Sequence, residues 1–283
     1  MSGRVMVIAE PGCTAEGGHN TTLRLIEAAA AAGADCFKAQ YVSDPAQLVA
    51  RRRVPAKYLE PYGWLAYPME WHAEFRDKAN ELGMLYGCST VLPADVAALA
   101  PYVDLFKLSS FEALARDMLD AHEDQGGHLI ISTGMLEAEQ VAWLDRWRQG
   151  GNNTRRRVDL LHACSSYPAP LDELNLRVLG QPWCDGLSDH SRKLTAGAIA
   201  VSLGARVIET HLRMDDCRED NPDYPVAFTP EEFGMYVAGI REIELQTSAD
   251  IGVRFVGCEE VLGDGQKRQM PSEAEMARYR IQG

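Results

Sequence analysis

Eight short apolar runs punctuate the chain, each ending in polar residues, and between them the apolar positions recur every three or four residues. The runs cover 5–10, 36–40, 84–90, 105–110, 129–133, 158–164, 184–188 and 207–211. Runs of this length predict buried strands, and the segments between them, near 21–32, 69–82, 93–100, 112–122, 136–148, 172–178, 192–203 and 230–245, predict amphipathic helices. Eight strand-helix repeats in one chain point to a (β/α)8 TIM barrel, an α/β fold, rather than an open doubly wound sheet. The barrel catalytic domain is expected over 1–248. The connection over 41–68, rich in Tyr, Pro and Arg, is too long for a plain turn and reads as a lid or substrate-binding excursion with its own short helix. The stretch 249–283, with Gly263-Asp264-Gly265 and then a charged run, reads as a C-terminal extension.

Composition narrows the class. The 283 residues are 46% hydrophobic, enough for one large core, and the formal net charge is −13. Basic residues are scattered apart from Arg51-Arg52-Arg53 and Arg155-Arg156-Arg157, both in expected loops, so nucleic acid is excluded as a partner. There is no basic-then-apolar leader and no apolar stretch of bilayer length, so the expectation is a cytoplasmic protein that meets no membrane. Seven cysteines make an odd count. Cys36, Cys88, Cys164 and Cys184 fall in or at the ends of expected strands, where free Cys serves as a small apolar residue. Neither a Cys-x-x-Cys pair nor a glycine-rich nucleotide loop is present.

In a barrel the C-terminal ends of the strands face the active site, so the close of each run is a list of candidate chemistry. Glu10 closes the first run, Lys38 and Gln40 the second, Ser89 and Thr90 the third, and Lys107, Ser109 and Ser110 the fourth. Ser132 and Thr133 close the fifth; Ser165, Ser166 and Tyr167 follow the sixth; Ser188, Asp189 and His190 end the seventh, and Glu209 and His211 the eighth. A lysine inside an apolar run needs a reason, because burying an unpaired ammonium is costly. Two of them, Lys38 and Lys107, with hydroxyl donors around them, suit a phosphate or carboxylate. The alternative is a structural bridge to Glu10 or Glu112. His190 and His211 end two strands that a βαβ unit makes parallel neighbours, and two imidazoles side by side are a candidate divalent-metal site with room for a substrate oxygen. Ordinary hydrogen-bonded histidines are the alternative. His72 and His162 read as structural, and His19, His122 and His128 as loop or surface residues.

Taken in order, Ile8-Ala9-Glu10-x-Gly12, Phe37-Lys38-x-Gln40, Phe106-Lys107-x-x-Ser110, Ile131-Ser132-Thr133-Gly134-Met135, Leu161-His162 with Tyr167-Pro168-Ala169-Pro170, Leu187-Ser188-Asp189-His190 and Ile208-Glu209-x-His211 resemble the sialic acid synthase (N-acetylneuraminate synthase) family. The resemblance runs from Val5 to about Glu273. It implies a (β/α)8 barrel that joins phosphoenolpyruvate to a sugar aldehyde with release of phosphate, using a divalent metal, manganese first, with magnesium or cobalt as alternatives. It implies that His190 and His211 hold the metal, that Lys38, Lys107, Thr90, Ser110, Ser132 and Ser188 surround phosphoenolpyruvate, and that Glu10 acts near the reacting carbons. Gln40, Tyr167 and Asp223 would face the acceptor, with Ser165 and Glu209 also in the substrate site. A homodimer is expected.

Three departures stand out. Thr14 and Ala15 replace the family's Asn-His, Ser165 stands where Asn is usual, and the sequence reads as the barrel alone, stopping where members continue into an antifreeze-like domain. These fall on the acceptor side, so the expected acceptor is an aldehyde other than N-acetylmannosamine. A metal-dependent pyruvate aldolase and a non-catalytic sugar-phosphate binder are the competing readings.

Overall fold

The computed structural model describes residues 4–150 and 156–248. Its strands are β1 Met6–Glu10, β2 Cys36–Tyr41, β3 Leu85–Thr90, β4 Leu105–Leu108, β5 Gly127–Ser132, β6 Arg156–Ala163, β7 Gly186–Asp189 and β8 Val207–His211. They pair in sequence order, all parallel, and β8 closes on β1 with Glu10 opposite His211. This is the expected (β/α)8 barrel.

Side chains alternate across each strand, so each strand feeds two cores. Ile8, Cys36, Leu105, Ile130, Leu161 and Val207 point inward and form a cluster of their own. Their neighbours Val7, Ala9, Phe37, Ala39, Phe106, Leu129, Ile131, Leu160, Leu187 and Ile208 point outward into the core shared with the helices. Two strands contribute glycine to the inner layer because nothing larger fits. A Cβ on Gly186 would lie 1.9 Å from the Val207 carbonyl oxygen, and one on Gly87 would lie 2.6 Å from Leu105 Cδ1.

The helices are α1 His19–Ala31, α2 Pro45–Arg52, α3 Leu59–Gly63, α4 Trp71–Glu81, α5 Pro93–Leu99, α6 Arg116–Gln125, α7 Ala138–Gly150, α8 Ala196–Ser202 and α9 Pro230–Ser248. Between β6 and β7 the expected helix at 172–178 is instead a 3-10 turn, Leu176–Gly180, entered through Asn175 in the left-handed region (φ 44). A residue in that conformation stops a helix from starting any earlier.

The 41–68 excursion holds α2, a 3-10 turn at Ala56–Tyr58 and α3. Asp44 caps α2 by accepting from Gln47 N at 2.9 Å, and Pro45 begins the helix. Cys13, Val42, Leu48, Leu65, Val91 and Leu92 give this cover its own apolar cluster. The expectation of two loop arginine runs is corrected here. Arg51 and Arg52 close α2, where cations meet the carbonyl end of the helix, and Arg156 and Arg157 open β6.

The chain divides into two compact units, Met1–Gln246 and Thr247–Gly283. The extension expected over 249–283 lies outside the described residues. Among the described residues, no helix is long and apolar enough to cross a membrane.

Candidate active site

One pleat step above the apolar layer, the inward positions become polar on seven of the eight strands. Ile8 gives way to Glu10, Cys36 to Lys38, Gly87 to Ser89, Leu105 to Lys107, Ile130 to Ser132, Gly186 to Ser188 and Val207 to Glu209; on β6, Leu161 gives way to Ala163. Lys38, only 1% exposed, lies 2.7 Å from Glu10 Oε1 and 3.8 Å from Glu209 Oε2, and donates to Ser89 Oγ at 2.7 Å. Lys107 Nζ stands 3.5 Å from Glu209 Oε1 and donates to the Leu108 carbonyl at 3.1 Å. Ser188 donates to Glu209 Oε1 at 2.9 Å. Two lysines and two carboxylates thus cancel in charge, with Glu209 shared between both cations.

Burial works against ionising Glu10, but Lys38, with His211 and Lys107 behind it, outweighs burial and brings its pKa down to about 2. For Lys38, Glu10 and Glu209 overcome the cost of burial and hold the ammonium above its usual range. Burial wins at Lys107, whose pKa is lowered despite Glu209. The two lysines of one layer therefore differ in how readily they release a proton.

Above this layer stand His190 and His211, with ring centroids 5.6 Å apart. Tyr167 packs edge-on against both, at 4.9 and 5.9 Å, and its hydroxyl lies 3.2 Å from His211 Nε2 while donating to Asp223 Oδ1 at 2.6 Å. The residue as a whole is 42% exposed, yet burial of its hydroxyl end, reinforced by Asp223, pushes the phenol well above its usual pKa. Asp223 Oδ2 also accepts from Cys13 N at 2.6 Å. Gly12 makes this approach possible, because a Cβ there would sit 2.3 Å from Asp223 Oδ2 and 3.0 Å from His211 Cε1.

Burial, with His211 adding to it, lowers the His190 pKa to about 4, so that imidazole is neutral near pH 7, the form a metal requires. His211 Nδ1 is buried without a hydrogen-bond partner. Among the described residues no group of three or more His, Cys, Asp or Glu is gathered as a ready-made metal cluster. The donors present fit an ion held by two imidazoles, with its other positions open to water or substrate oxygens. Glu10 Oε2, 4.0 Å from His211 Nε2, is a nearby carboxylate oxygen.

The NeuB family profile matches residues 25–251. The chain belongs to the NeuB family. It is 30% identical to an N,N'-diacetyllegionaminic acid synthase of Legionella pneumophila, over 95% of this chain and 76% of that protein. It is 29% identical to a pseudaminic acid synthase of Campylobacter jejuni, over 85% of this chain and 74% of the relative. In fold it resembles an N-acetylneuraminic acid synthetase of Leptospira borgpetersenii, with a TM-score of 0.77 at 22% identity, covering 99% of this chain and 92% of that one. These three relatives are named as synthases or synthetases of sugar acids.

The remaining NeuB-motif residues are placed less uniformly. Gln40 donates to Glu10 Oε1. Ser132 Oγ and Glu209 Oε2 are buried without a hydrogen bond, although Lys38 lies 3.8 Å from the latter. Ser110 Oγ accepts from Gly134 N at 3.0 Å, and the Ser165 hydroxyl donates to the Gly134 carbonyl, so both hydroxyls tie loops together around the mouth. Thr90 lies one position off the inward set. Its hydroxyl is bonded at 2.8 Å to His122 Nε2 on α6, while Ser89 takes the place beside Lys38. Thr14 is buried and donates to the Leu212 carbonyl at 2.8 Å, so its hydroxyl is used within the fold.

Several expectations are corrected. His122 is buried against Phe106 rather than on the surface. His128 lies in β5, where it pairs with the buried Asp159; His19, at the start of α1 with its pair to Glu74 exposed, keeps the surface reading. Glu112 partners Arg52, not Lys107. His72, bonded to Tyr86, and His162, 2.8 Å from the Leu174 carbonyl, are structural as expected. Sequence reasoning missed Arg52 and His122. Arg52 lies 60 residues from its partner and His122 lies 32 from its own, so no local pattern announces either.

Proposed function

We propose that this NeuB-family protein condenses phosphoenolpyruvate with a sugar-type aldehyde and releases inorganic phosphate, the acceptor being one other than N-acetylmannosamine. The observation that carries the reading is the buried Glu10–Lys38–Glu209–Lys107 layer at the barrel mouth, roofed by His190 and His211. A fold gains little stability from four buried charges, and an anionic substrate gives them a use.

Lys38 and Lys107 bind the carboxylate and phosphate of phosphoenolpyruvate, with Ser132, Ser188 and the Ser110 loop completing the donors. C3 attacks the aldehyde carbon, water adds its oxygen at C2, and as the C2–O–phosphate bond breaks and the C2 carbonyl forms the water's two protons end on the former aldehyde oxygen, now a hydroxyl, and on the phosphate, the latter by way of Lys107. A divalent ion held by His190 and His211 would supply Lewis-acid polarisation of the aldehyde carbonyl. Glu10, with its pKa near 2, is too weak a base at neutral pH to remove a proton efficiently, so it orients the water by accepting a hydrogen bond. Lys107, its ammonium destabilised by burial, gives a proton to the departing phosphate. Tyr167 and Asp223, with Gln40 behind Glu10, lie on the acceptor side.

The test is a panel of aldoses, sugar phosphates and other aldehydes incubated with phosphoenolpyruvate and manganese and read by mass spectrometry. The expected product has the mass of phosphoenolpyruvate plus aldehyde plus water minus phosphoric acid, and needs both the aldehyde and the metal. Phosphate release with neither present would sink the condensation in favour of a phosphatase, and formation of the same product from pyruvate supplied in its place, with phosphoenolpyruvate left unreacted, would sink it in favour of an aldolase.

A further inference from the structure

Arg52 is the last residue of α2, in the 41–68 excursion that packs on the ends of the neighbouring strands, yet its side chain is only 12% exposed. Its Nε donates to Glu112 Oε1 and its Nη2 to Glu112 Oε2, both at 2.8 Å, a two-pronged grip on a buried carboxylate. The same guanidinium reaches Ser109 Oγ at 3.4 Å and Tyr62 Oη at 3.2 Å, and lies 5.5 Å from the Tyr62 ring centroid and 4.8 Å from that of Phe111. Ser109 also donates to Glu112 Oε2. Arg52 therefore draws α2, α3 and the loop after β4 onto one planar group.

That loop is part of the candidate site. Lys107 holds the carbonyl of Leu108, Arg52 and Glu112 hold Ser109, and Ser110 accepts from the backbone of Gly134 in the loop after β5. Gly134 in turn accepts from Ser165 after β6. The chain of contacts runs from the cover, through Arg52, into three consecutive strand-end loops. Arg51, next to it, makes a two-pronged pair with Asp117 at 2.6 and 2.7 Å, but Asp117 is exposed and that pair touches no strand-end residue.

We propose that Arg52 is a positioning residue: by clamping the 41–68 cover to Glu112 and Ser109, it fixes the loop that places Ser110 beside Lys107 for the phosphoenolpyruvate anion. The inference rests on the condensing reading for its substrate, but the clamp itself does not. A planar fork is needed because one group must span two carboxylate oxygens and two hydroxyls; a lysine ammonium carries the charge without that geometry.

The test combines steady-state kinetics with amide hydrogen exchange on the whole protein. Arg52→Met is expected to raise the KM for phosphoenolpyruvate about tenfold or more with kcat changed less than about threefold, and to speed exchange over 109–112. Arg52→Lys is expected to stay within the same KM range as Arg52→Met. The double variant Arg52→Met with Glu112→Leu removes the buried charge along with the fork, so it is expected to recover thermal stability while the raised KM remains. Arg51→Met is expected to leave KM and exchange unchanged. A double variant with wild-type KM would overturn positioning, since neutralising Glu112 would then be the whole role. If the wild type turns over no phosphoenolpyruvate with any aldehyde, the condensing reading fails instead. The clamp is then judged on exchange: faster exchange over 109–112 in Arg52→Met supports it, and unchanged exchange overturns it.

Discussion

The lower layer of the barrel interior is filled by Ile8, Cys36, Leu105, Ile130, Leu161 and Val207. Two residues further along the same strands stand Glu10, Lys38, Lys107, Ser132, Ala163 and Glu209. The register is shared and both layers are buried, so neither backbone geometry nor exposure explains the change in chemistry. The lower layer needs only shape and contact, and it closes the barrel. The upper layer carries two lysines and two carboxylates in mutual contact, an arrangement whose desolvation cost largely offsets its attraction. The proposed phosphoenolpyruvate site gives it a use.

The comparison breaks most sharply at Lys38. Lys38→Met leaves Glu10 and Glu209 facing one lysine, and the expected result is loss of measurable phosphate release together with destabilisation of roughly 3–5 kcal/mol in urea unfolding. In the lower layer, Leu105→Ala is expected to cost about 2–5 kcal/mol, with kcat/KM of the folded fraction within about threefold of wild type. A Leu105 variant that loses activity as completely as Lys38→Met would erase the distinction between the layers.

A gentler probe is pH. Glu10 has a pKa of about 2 when folded against 4.5 as a free carboxyl group. Between those values the unfolded chain binds the extra proton, so the stabilisation that Glu10 provides is present above pH 4.5 and is lost as pH falls through about 2. Glu10→Gln is expected to flatten the fall in stability over that window by one proton, measured by urea unfolding at stepped pH. Leu105→Ala should lower the whole curve without changing its slope. An unaltered slope in Glu10→Gln would mean that the charged layer does not carry the acid sensitivity assigned to it.

Much of this contrast is legible in the sequence because a strand alternates with a period of two. Lys38 and Lys107 stand out in the sequence because an ammonium inside an apolar run is costly to bury, and the alternation accounts for their pointing inward, two residues after an inward apolar residue. Glu209 and His211 follow Val207 by the same rule. Thr90 shows the limit. It is next to Ser89, both are hydroxyls, and only the pairing of Gly87 with Leu105 fixes which of the two faces in. Arg52 and His122 were illegible for another reason: their partners are far along the chain, and a basic run at a helix end reads the same whether it meets water or a buried glutamate.

The most direct measurement is equilibrium binding of phosphoenolpyruvate to the metal-free protein by titration calorimetry, comparing wild type, Lys107→Met in the charged layer and Leu105→Ala beneath it. Binding in the wild type, weakened about a hundredfold or more in Lys107→Met and changed less than about threefold in Leu105→Ala, is the predicted result. Equal affinity in the wild type and Lys107→Met would contradict the assignment of the buried charge layer as the anion site.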